Sequence, residues 1–371
     1  MRSTRVALLA FAVAFAAVPS VVRANDESIA KDWKDDINRK KGISFAKTRG
    51  EFWEAKGVTG KDLYWLGRIW EYSQEYDKAN AAFEGFLKVE GIDDKLKQNA
   101  TFVLLQIATK KHDWAKVVEA AEHFRKEYPG SKDVGDAWDQ QGRAQRLLGE
   151  RDKAVEAFKA SAESKWSAGV VDLVDLYVVE GNLDEAKKVI ATALEIEEIK
   201  KNRTVATLKE IVDAVGTAAP AIEKGCSIGI TPAPTAWGEK AAVLYNWHIS
   251  MDWIDDRLTR VRSLDQHFSE KANCFGISTY RKFNPNTKKV EEGMTEEAER
   301  DIQSQILKQM TGGGPSALLV PMDVFEGLKQ RTEGQWTVID AEGKIRYARV
   351  SDRDPYDWKC VELALKKVIG E

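Results

Sequence analysis

A pattern of small and large apolar residues recurs four times between residues 60 and 200, and it constrains the fold more than any other feature. Its anchor positions 79, 117, 154 and 186 are 38, 37 and 32 residues apart. Residues 50–215 contain few Gly and almost no Pro, so each recurrence predicts a pair of helices. One pair alone cannot bury its apolar face, so the pairs are expected to stack.

The first copy, DLYWLGRIWEYSQEYDKANAAFEGFL, has Leu66-Gly67, Trp70, Ala79 and Phe83 in order. These residues resemble the tetratricopeptide repeat (TPR), and the resemblance covers about residues 60–200. The variable spacing leaves irregular, Sel1-like or plain helical-hairpin repeats as alternatives.

The resemblance implies that the first helix of each pair lines a concave groove. The residues expected on that face are Tyr64, Arg68, Asn99, Phe102, Gln106, Asp139, Arg143, Arg146 and Asp175. Such a polar and aromatic lining is typical of sites for an extended peptide or a protein surface. The alternative is that these are ordinary solvated positions on a structural spacer.

A Pro- and Gly-rich stretch from Ala218 to Trp237 marks the strongest change of composition in the chain. Beyond it, apolar strands alternate with helical stretches in the order β-α-β-α-β-β-α, with strands predicted at 241–249, 273–280, 336–340 and 344–350. The expected organisation is a signal peptide (1–24), a TPR-like helical domain (25–217), a linker (218–236) and an α/β domain (237–371).

Three segments of the second half resemble thioredoxin-like domains of the TlpA and redoxin type. They are WGEKAAVLYNWHIS, FGISTYRKFNPNTKKVEEGMTEEAE and WTVIDAEGKIRYARV, the last with an Asp-x-x-Gly-Lys turn. The resemblance implies a thioredoxin-like fold over residues 235–370.

The redox residues of that family are replaced. Met251 and Ile254 stand where the resemblance places the two cysteines, and Gly334 stands at the place of the cis-Pro. Neither side chain at the cysteine positions can form the thiolate that disulfide exchange needs. The resemblance therefore implies a degenerate redox site, and His248, Met251, Trp253 and Trp336 could line the groove that remains beside it.

Only three cysteines occur, at Cys226, Cys274 and Cys360, and none is within 40 residues of another. At most one disulfide can form among them, and the sequence does not say which. Neither Cys nor His residues show zinc-ligand spacing, so no metal or other cofactor is expected. The alternative to a redox-inactive domain is a thiol-disulfide oxidoreductase or redoxin-like protein that uses Cys274 or Cys360.

The N-terminus predicts export. A basic start is followed by an apolar run from Val6 to Val22 and by the small-x-small site Val22-Arg23-Ala24. A membrane anchor is the alternative reading of this segment. The 59 acidic and 56 basic residues are evenly spread, so no basic stripe suggests nucleic acid. The leading hypothesis is an exported, non-enzymatic interaction protein of the periplasm or cell exterior, and the alternatives are the oxidoreductase and a structural envelope component.

Overall fold

The structure, a computed structural model, describes residues 26–33, 42–222, 227–228, 237–247, 254–284, 287, 289–311, 317–328, 335–349 and 355–371. The chain forms two compact units, Met1–Leu148 and Gly149–Glu371. The second unit contains helices as well as the sheet, so this division does not coincide with the predicted linker. The predicted domain limits stay a prediction, and the predicted signal peptide lies outside the described residues.

The described part of the first unit is helical. Its helices are α1 (Asp26–Asp32), α2 (Gly42–Ala55), α3 (Asp62–Tyr72), α4 (Tyr76–Leu87), α5 (Asp94–Lys110), α6 (Trp114–Glu127) and α7 (Val134–Leu147). Consecutive helices contact each other from α2 to α7, as antiparallel pairs with short turns do. Asp93 caps α5 by accepting hydrogen bonds from the N–H groups of Lys95 (3.0 Å) and Leu96 (3.2 Å).

Small residues allow these helices to approach each other closely. A Cβ atom added at Gly67 would lie 2.9 Å from the ring of Phe83, and one added at Gly50 would lie 2.7 Å from the ring of Trp70. Both rings are almost fully buried. Small residues of one helix therefore contact large aromatic residues of the next, as expected for stacked helical pairs.

The turns that follow α3, α5, α7 and the helix Ser167–Glu180 of the second unit repeat the same backbone conformation. Gln74, His112, Gly149 and Gly181 have φ values of 63°, 57°, 79° and 81°. These left-handed residues are 38, 37 and 32 residues apart, which are the spacings of the sequence anchors. The next N–H in three of the turns bonds a carbonyl five residues back, as in the Schellman motif: Glu75 to Trp70, Asp113 to Ala108 and Asn182 to Tyr177. The repeat register read from the sequence is confirmed.

The second unit begins with five helices: α8 (Arg151–Glu163), α9 (Ser167–Glu180), α10 (Leu183–Leu194), α11 (Glu197–Lys200) and α12 (Arg203–Ala214). Its remaining elements are β1 (Ser227–Ile228), β2 (Ala241–Asn246), α13 (Ile254–Phe268), β3 (Ala272–Thr279), β4 (Phe283–Asn284), β5 (Lys289–Val290), α14 (Glu296–Thr311), β6 (Ala317–Val320), α15 (Met322–Gly327), β7 (Trp336–Ile339), β8 (Ile345–Arg349) and α16 (Pro355–Ile369).

The six-stranded sheet has the order β1-β6-β3-β2-β7-β8. Strands β2, β3 and β6 run parallel, whereas β7 pairs antiparallel with β2 and with β8. The four strands β3-β2-β7-β8 are those predicted from the sequence, and they form the βαβ and ββα halves of a thioredoxin-like fold. The predicted order lacked β6, β1 and the small β4–β5 sheet. The chain therefore joins an all-α helical-repeat region to an α/β thioredoxin-like fold.

The segment that follows α12 is bonded to the edge of the sheet. Gly216 N–H donates to the carbonyl of Ile345 (2.7 Å), Ile345 N–H donates to Thr217 (2.9 Å), and Ala219 N–H donates to Gly343 (2.8 Å). Ile222 is buried in the core of the sheet domain. The first residues of the predicted linker are thus part of the fold of the second unit.

In the part of the chain that the structure describes, no helix is both long enough and apolar enough to cross a membrane.

Candidate functional site: the inner face of the helical pairs

The first helices of successive pairs contact one another within the first unit. Helix α3 contacts α5, and α5 contacts α7. Arg68, Gln106 and Arg143 hold the same place in these three helices, since they are 38 and 37 residues apart, like the first three anchors of the repeat. The three helices therefore build one continuous face.

One ion pair within α3 and one between α3 and α5 lie on this face. Arg68 Nη1 contacts Glu71 Oε2 at 2.9 Å, and Lys110 Nζ contacts Glu71 Oε1 at 2.9 Å. The Glu71 side chain is only 10% exposed, so its charge needs these partners. The Arg68 guanidinium also lies over the ring of Trp33, at 5.2 Å from its centroid. Arg68 is therefore held in place on two sides.

Hydrogen bonds continue the face from α5 to α7. Thr109 Oγ1 donates to Gln140 Oε1 at 2.7 Å, and Gln140 Nε2 donates to Asp136 Oδ1 at 3.1 Å. Burial raises the pKa of the Asp136 carboxyl, against the effects of Gln140 and Arg143. One turn further on, Arg143 Nε contacts Asp139 Oδ2 at 3.0 Å.

The predicted binding residues divide by exposure. Asn99, Phe102, Gln106 and Arg146 are half-buried, and Arg68 and Arg143 keep 28% and 21% of their side chains exposed. These six side chains are partly accessible. Tyr64 and Asp139 are buried. The binding role of the whole set stays a prediction.

Tyr64 belongs to the apolar core. Its ring packs on Trp65, Phe83 and Phe86 with centroid distances of 5.0, 5.8 and 5.3 Å. Burial raises the pKa of its hydroxyl. Tyr64 and Asp139 therefore lie below the exposed side chains of the face, and a ligand could not contact them in this structure.

In the second unit, the equivalent helix α9 has its inner face covered by the sheet. Arg349 of β8 contacts Asp172 Oδ1 (2.7 Å, from Nη2), Asp175 Oδ1 (2.8 Å, from Nη1) and Asp357 Oδ1 (2.9 Å, from Nε). Tyr347 OH donates a hydrogen bond to Asp175. All five residues are buried. Asp175, expected in the groove, is therefore an internal contact, and this expectation was wrong.

The buried cluster keeps Arg349 charged. Burial opposes the charge, but Asp175, Asp357, Cys360 and Asp172 together raise the pKa of the guanidinium well above its ordinary value. An arginine with three carboxylate partners ties α9 to β8 and α16 in one network.

Most of the predicted degenerate redox site lies outside the described residues. This applies to Met251, Gly334, His248 and Trp253. Helix α13 begins at Ile254, whose side chain is not among those described. Trp336 is 1% exposed, and its ring packs on Tyr245 at a centroid distance of 4.5 Å. Trp336 is thus a core residue and does not line an open groove.

The two described cysteines are buried. Cys274, in β3, is 2% exposed, and Cys360, in α16, is fully buried. Burial, together with the nearby Asp265, raises the pKa of the Cys274 thiol well above its usual range. Neither thiol forms a disulfide within the described residues, and Cys226 lies outside them.

Sequence reasoning missed the Arg349 cluster. A signal for it was present, because α9 (SAGVVDLVDLYVVE) is apolar on nearly every side and carries Asp172 and Asp175 three residues apart. A helix that is apolar all round is expected to be buried, and buried carboxylates need a cationic partner.

Comparison with solved structures finds distant similarities, each over half of the chain or less. MamA 41-end from Desulfovibrio magneticus RS-1 is similar at 14% identity, over 48% of this chain and 99% of that one, with a TM-score of 0.38. YrrB, a TPR protein with an unusual peptide-binding site, is similar at 15% identity, over 50% of this chain and 99% of that one, with a TM-score of 0.32.

The thioredoxin-like superfamily protein SPOA0173 is similar at 13% identity, over 42% of this chain and 98% of that one, with a TM-score of 0.32. No family model and no curated protein sequence matches the chain. The fold assignment rests on the helix pairs and on the strand order.

Proposed function

We propose that the chain is an exported, non-enzymatic interaction protein that binds an extended peptide or a protein surface along α3, α5 and α7. The thioredoxin-like part contributes to the fold of the second unit and does not exchange disulfides. Export is supported by the basic start, the apolar run and the small-residue site of residues 1–24.

The observation that carries this proposal is the row formed by Arg68, Gln106 and Arg143 on consecutive first helices. These side chains are partly exposed, and two of them are fixed by ion pairs with Glu71 and Asp139. Side chains held in one geometry lose little entropy on binding, and arginine is enriched among residues that dominate interface energies. A row that repeats once per helical pair suits a ligand that extends along the pairs.

Absence of disulfide exchange is supported by the positions of the sulfur atoms. Met251 and Ile254 stand at the predicted cysteine positions and cannot form thiolates. Cys274 and Cys360 are buried, and the Cys274 thiol has a raised pKa. Burial makes both thiols poorly accessible to a disulfide, and the raised pKa keeps Cys274 protonated, which disfavours the alternative of a thiol-disulfide oxidoreductase that uses either residue.

Affinity capture from the native cell envelope, with the purified chain as bait, tests the binding proposal. The informative variant is Gln106→Ala/Arg146→Ala, because both side chains lie on the face and are half-buried. The matched control is Glu119→Ala/Lys126→Ala, which changes two exposed residues on α6, the second helix of a pair. We expect wild type and control to capture the same proteins, and the face variant to lose them with little change in melting temperature.

Identical capture by the face variant and by wild type would contradict the proposed face. A separate assay addresses the redox alternative. In the reduction of insulin by dithiothreitol, the chain should not exceed the uncatalysed rate. Turnover that disappears in Cys274→Ser or Cys360→Ser would replace the interaction proposal by the oxidoreductase.

A further inference from the structure

A cavity of about 390 Å³ lies in the second unit, where α9, α10 and α16 meet the β7–β8 turn. Its floor is apolar and is made by Val178, Val179, Leu183, Val215, Ala364 and Val368. Small-molecule sites in proteins are typically pockets of about 300–1,000 Å³ with apolar walls and a few placed polar groups. The cavity has the size and the floor of such a site.

The polar groups at the cavity begin with a carboxylate that is already engaged. Asp340 is 4% exposed, accepts a hydrogen bond from Lys344 N–H at 2.8 Å and forms an ion pair with Arg346 Nε. Burial alone would raise the pKa of Asp340, but these two donors hold it below its ordinary value. Asp340 is therefore ionised and orients the Arg346 guanidinium.

The cations at the cavity retain binding capacity. Arg346 uses Nε for Asp340, and within the described residues its Nη1 and Nη2 groups have no hydrogen-bond partner. Lys367 also lines the cavity, is exposed, and forms no ion pair with a described residue. The remaining acidic lining residue, Glu342, is exposed on the β7–β8 turn. A fixed guanidinium edge and an ammonium thus flank an apolar floor.

We propose that this cavity binds a small amphipathic carboxylate, with its apolar tail on the Val178–Leu183–Val368 floor and its carboxylate on Arg346 and Lys367. A guanidinium presents parallel N–H donors that match a carboxylate, and Asp340 pre-orients this one. The proposal is independent of the peptide-binding face, which lies in the first unit.

Calorimetric titration of the full-length chain with three eight-carbon probes, sodium octanoate, octylammonium chloride and octanol, tests the proposal. The tails are the same, so the order of affinities reports the head group. We expect octanoate to bind at least about tenfold more tightly than octylammonium, with octanol between them, because a hydrogen bond to a charged group is worth about a factor of ten or more. Equal or tighter binding of octylammonium would overturn the carboxylate assignment and point to Glu342.

Two charge variants locate the head group. Arg346→Gln should weaken octanoate binding about tenfold and leave octanol unchanged. The matched control is Lys366→Gln, which removes a cation of α16 that pairs with Glu362 and does not line the cavity. Unchanged octanoate affinity in Arg346→Gln, or an equal loss in Lys366→Gln, would refute the proposed site.

A further variant tests where the apolar tail of the ligand binds. Val368→Trp should fill the cavity and abolish binding of both octanoate and octanol. If that variant does not fold, methyl NMR of wild type still decides, because octanoate should shift the resonances of Val178, Leu183 and Val368. Shifts confined to the first unit, or absent, would contradict the proposal.

Discussion

Residues at the same position of the repeat are partly exposed in the first unit and buried in the second. In the first unit, Arg68, Gln106 and Arg143 lie partly exposed along α3, α5 and α7. In the second unit, the equivalent Asp175 of α9 is 6% exposed and contacts Tyr347 and Arg349. The repeat pattern therefore sets which residues face inward, but other parts of the chain decide whether that face stays accessible. The candidate binding face belongs to α3, α5 and α7.

The two faces should also differ in how much their charges matter for stability. Removing one member of a buried ion cluster leaves charges without partners and typically costs about 3–5 kcal/mol, whereas exposed ion pairs contribute about 0–1 kcal/mol. Three substitutions, described in order of decreasing expected effect, test this difference.

The largest effect is expected for Arg349→Met. The change leaves Asp172, Asp175 and Asp357 buried without their shared cation, so we expect a loss of about 3–5 kcal/mol in the free energy of unfolding of the second unit. Urea unfolding followed by circular dichroism would measure it. Arg151→Met is the matched control, because Arg151 pairs with Glu180 at 2.7 Å but has a side chain that is 47% exposed. The comparison fails if the two substitutions cost the same.

An intermediate effect is expected for Arg143→Met in the first unit. Asp139 is 2% exposed and loses its contact with Arg143 Nε, so this substitution should cost roughly 1–3 kcal/mol. Gln106→Ala, in contrast, should hardly change stability, because Gln106 is half-buried and carries no charge. Urea unfolding of Arg143→Met beside Gln106→Ala would show the difference, and equal, small losses would mean that Asp139 keeps enough other partners.

The smallest effect is a pH dependence at Asp340. Its carboxyl has a lowered pKa in the folded chain, so it contributes stability above its ordinary value of about 4, and this contribution is lost as the pH falls through the folded value. Between about pH 5 and about pH 3, wild type should therefore lose more unfolding free energy than Asp340→Asn. Asp323→Asn, at an exposed residue of α15, should follow wild type. If the unfolding free energies of wild type and Asp340→Asn fell in parallel with pH, Asp340 would not contribute to the acid sensitivity.

Periodicity alone was sufficient to predict most of the fold. The four helix pairs and the strands β2, β3, β7 and β8 were expected from sequence, because each has a long or regular apolar pattern. Strand β6 was missed because it offers only the four apolar residues Ala317–Val320, too few to show a period. Strand β1 has two residues and is defined only by its pairing with β6.

The candidate site was less predictable, because accessibility depends on contacts between segments distant in sequence. Arg349 lies 177 residues from Asp172, and nothing in the strand IRYAR distinguishes a buried arginine from an exposed one. Tyr64 was expected to line a groove, but its place beside Phe83 and Phe86 depends on how α3 packs on α4. A local sequence pattern indicates which way a side chain points, but it does not identify the residues that the side chain contacts.

The pairing of Gly216, Thr217 and Ala219 with the start of β8 has a practical consequence for dissecting the molecule. A fragment that begins at Trp237, the limit suggested by composition, would leave the Gly343 carbonyl and the N–H and carbonyl of Ile345 without these partners at an open sheet edge. Unprotected edges recruit strands from other molecules and promote aggregation. Fragments of the thioredoxin-like part should therefore begin before Gly216. If a shorter fragment is insoluble, the loss of this pairing is the expected cause.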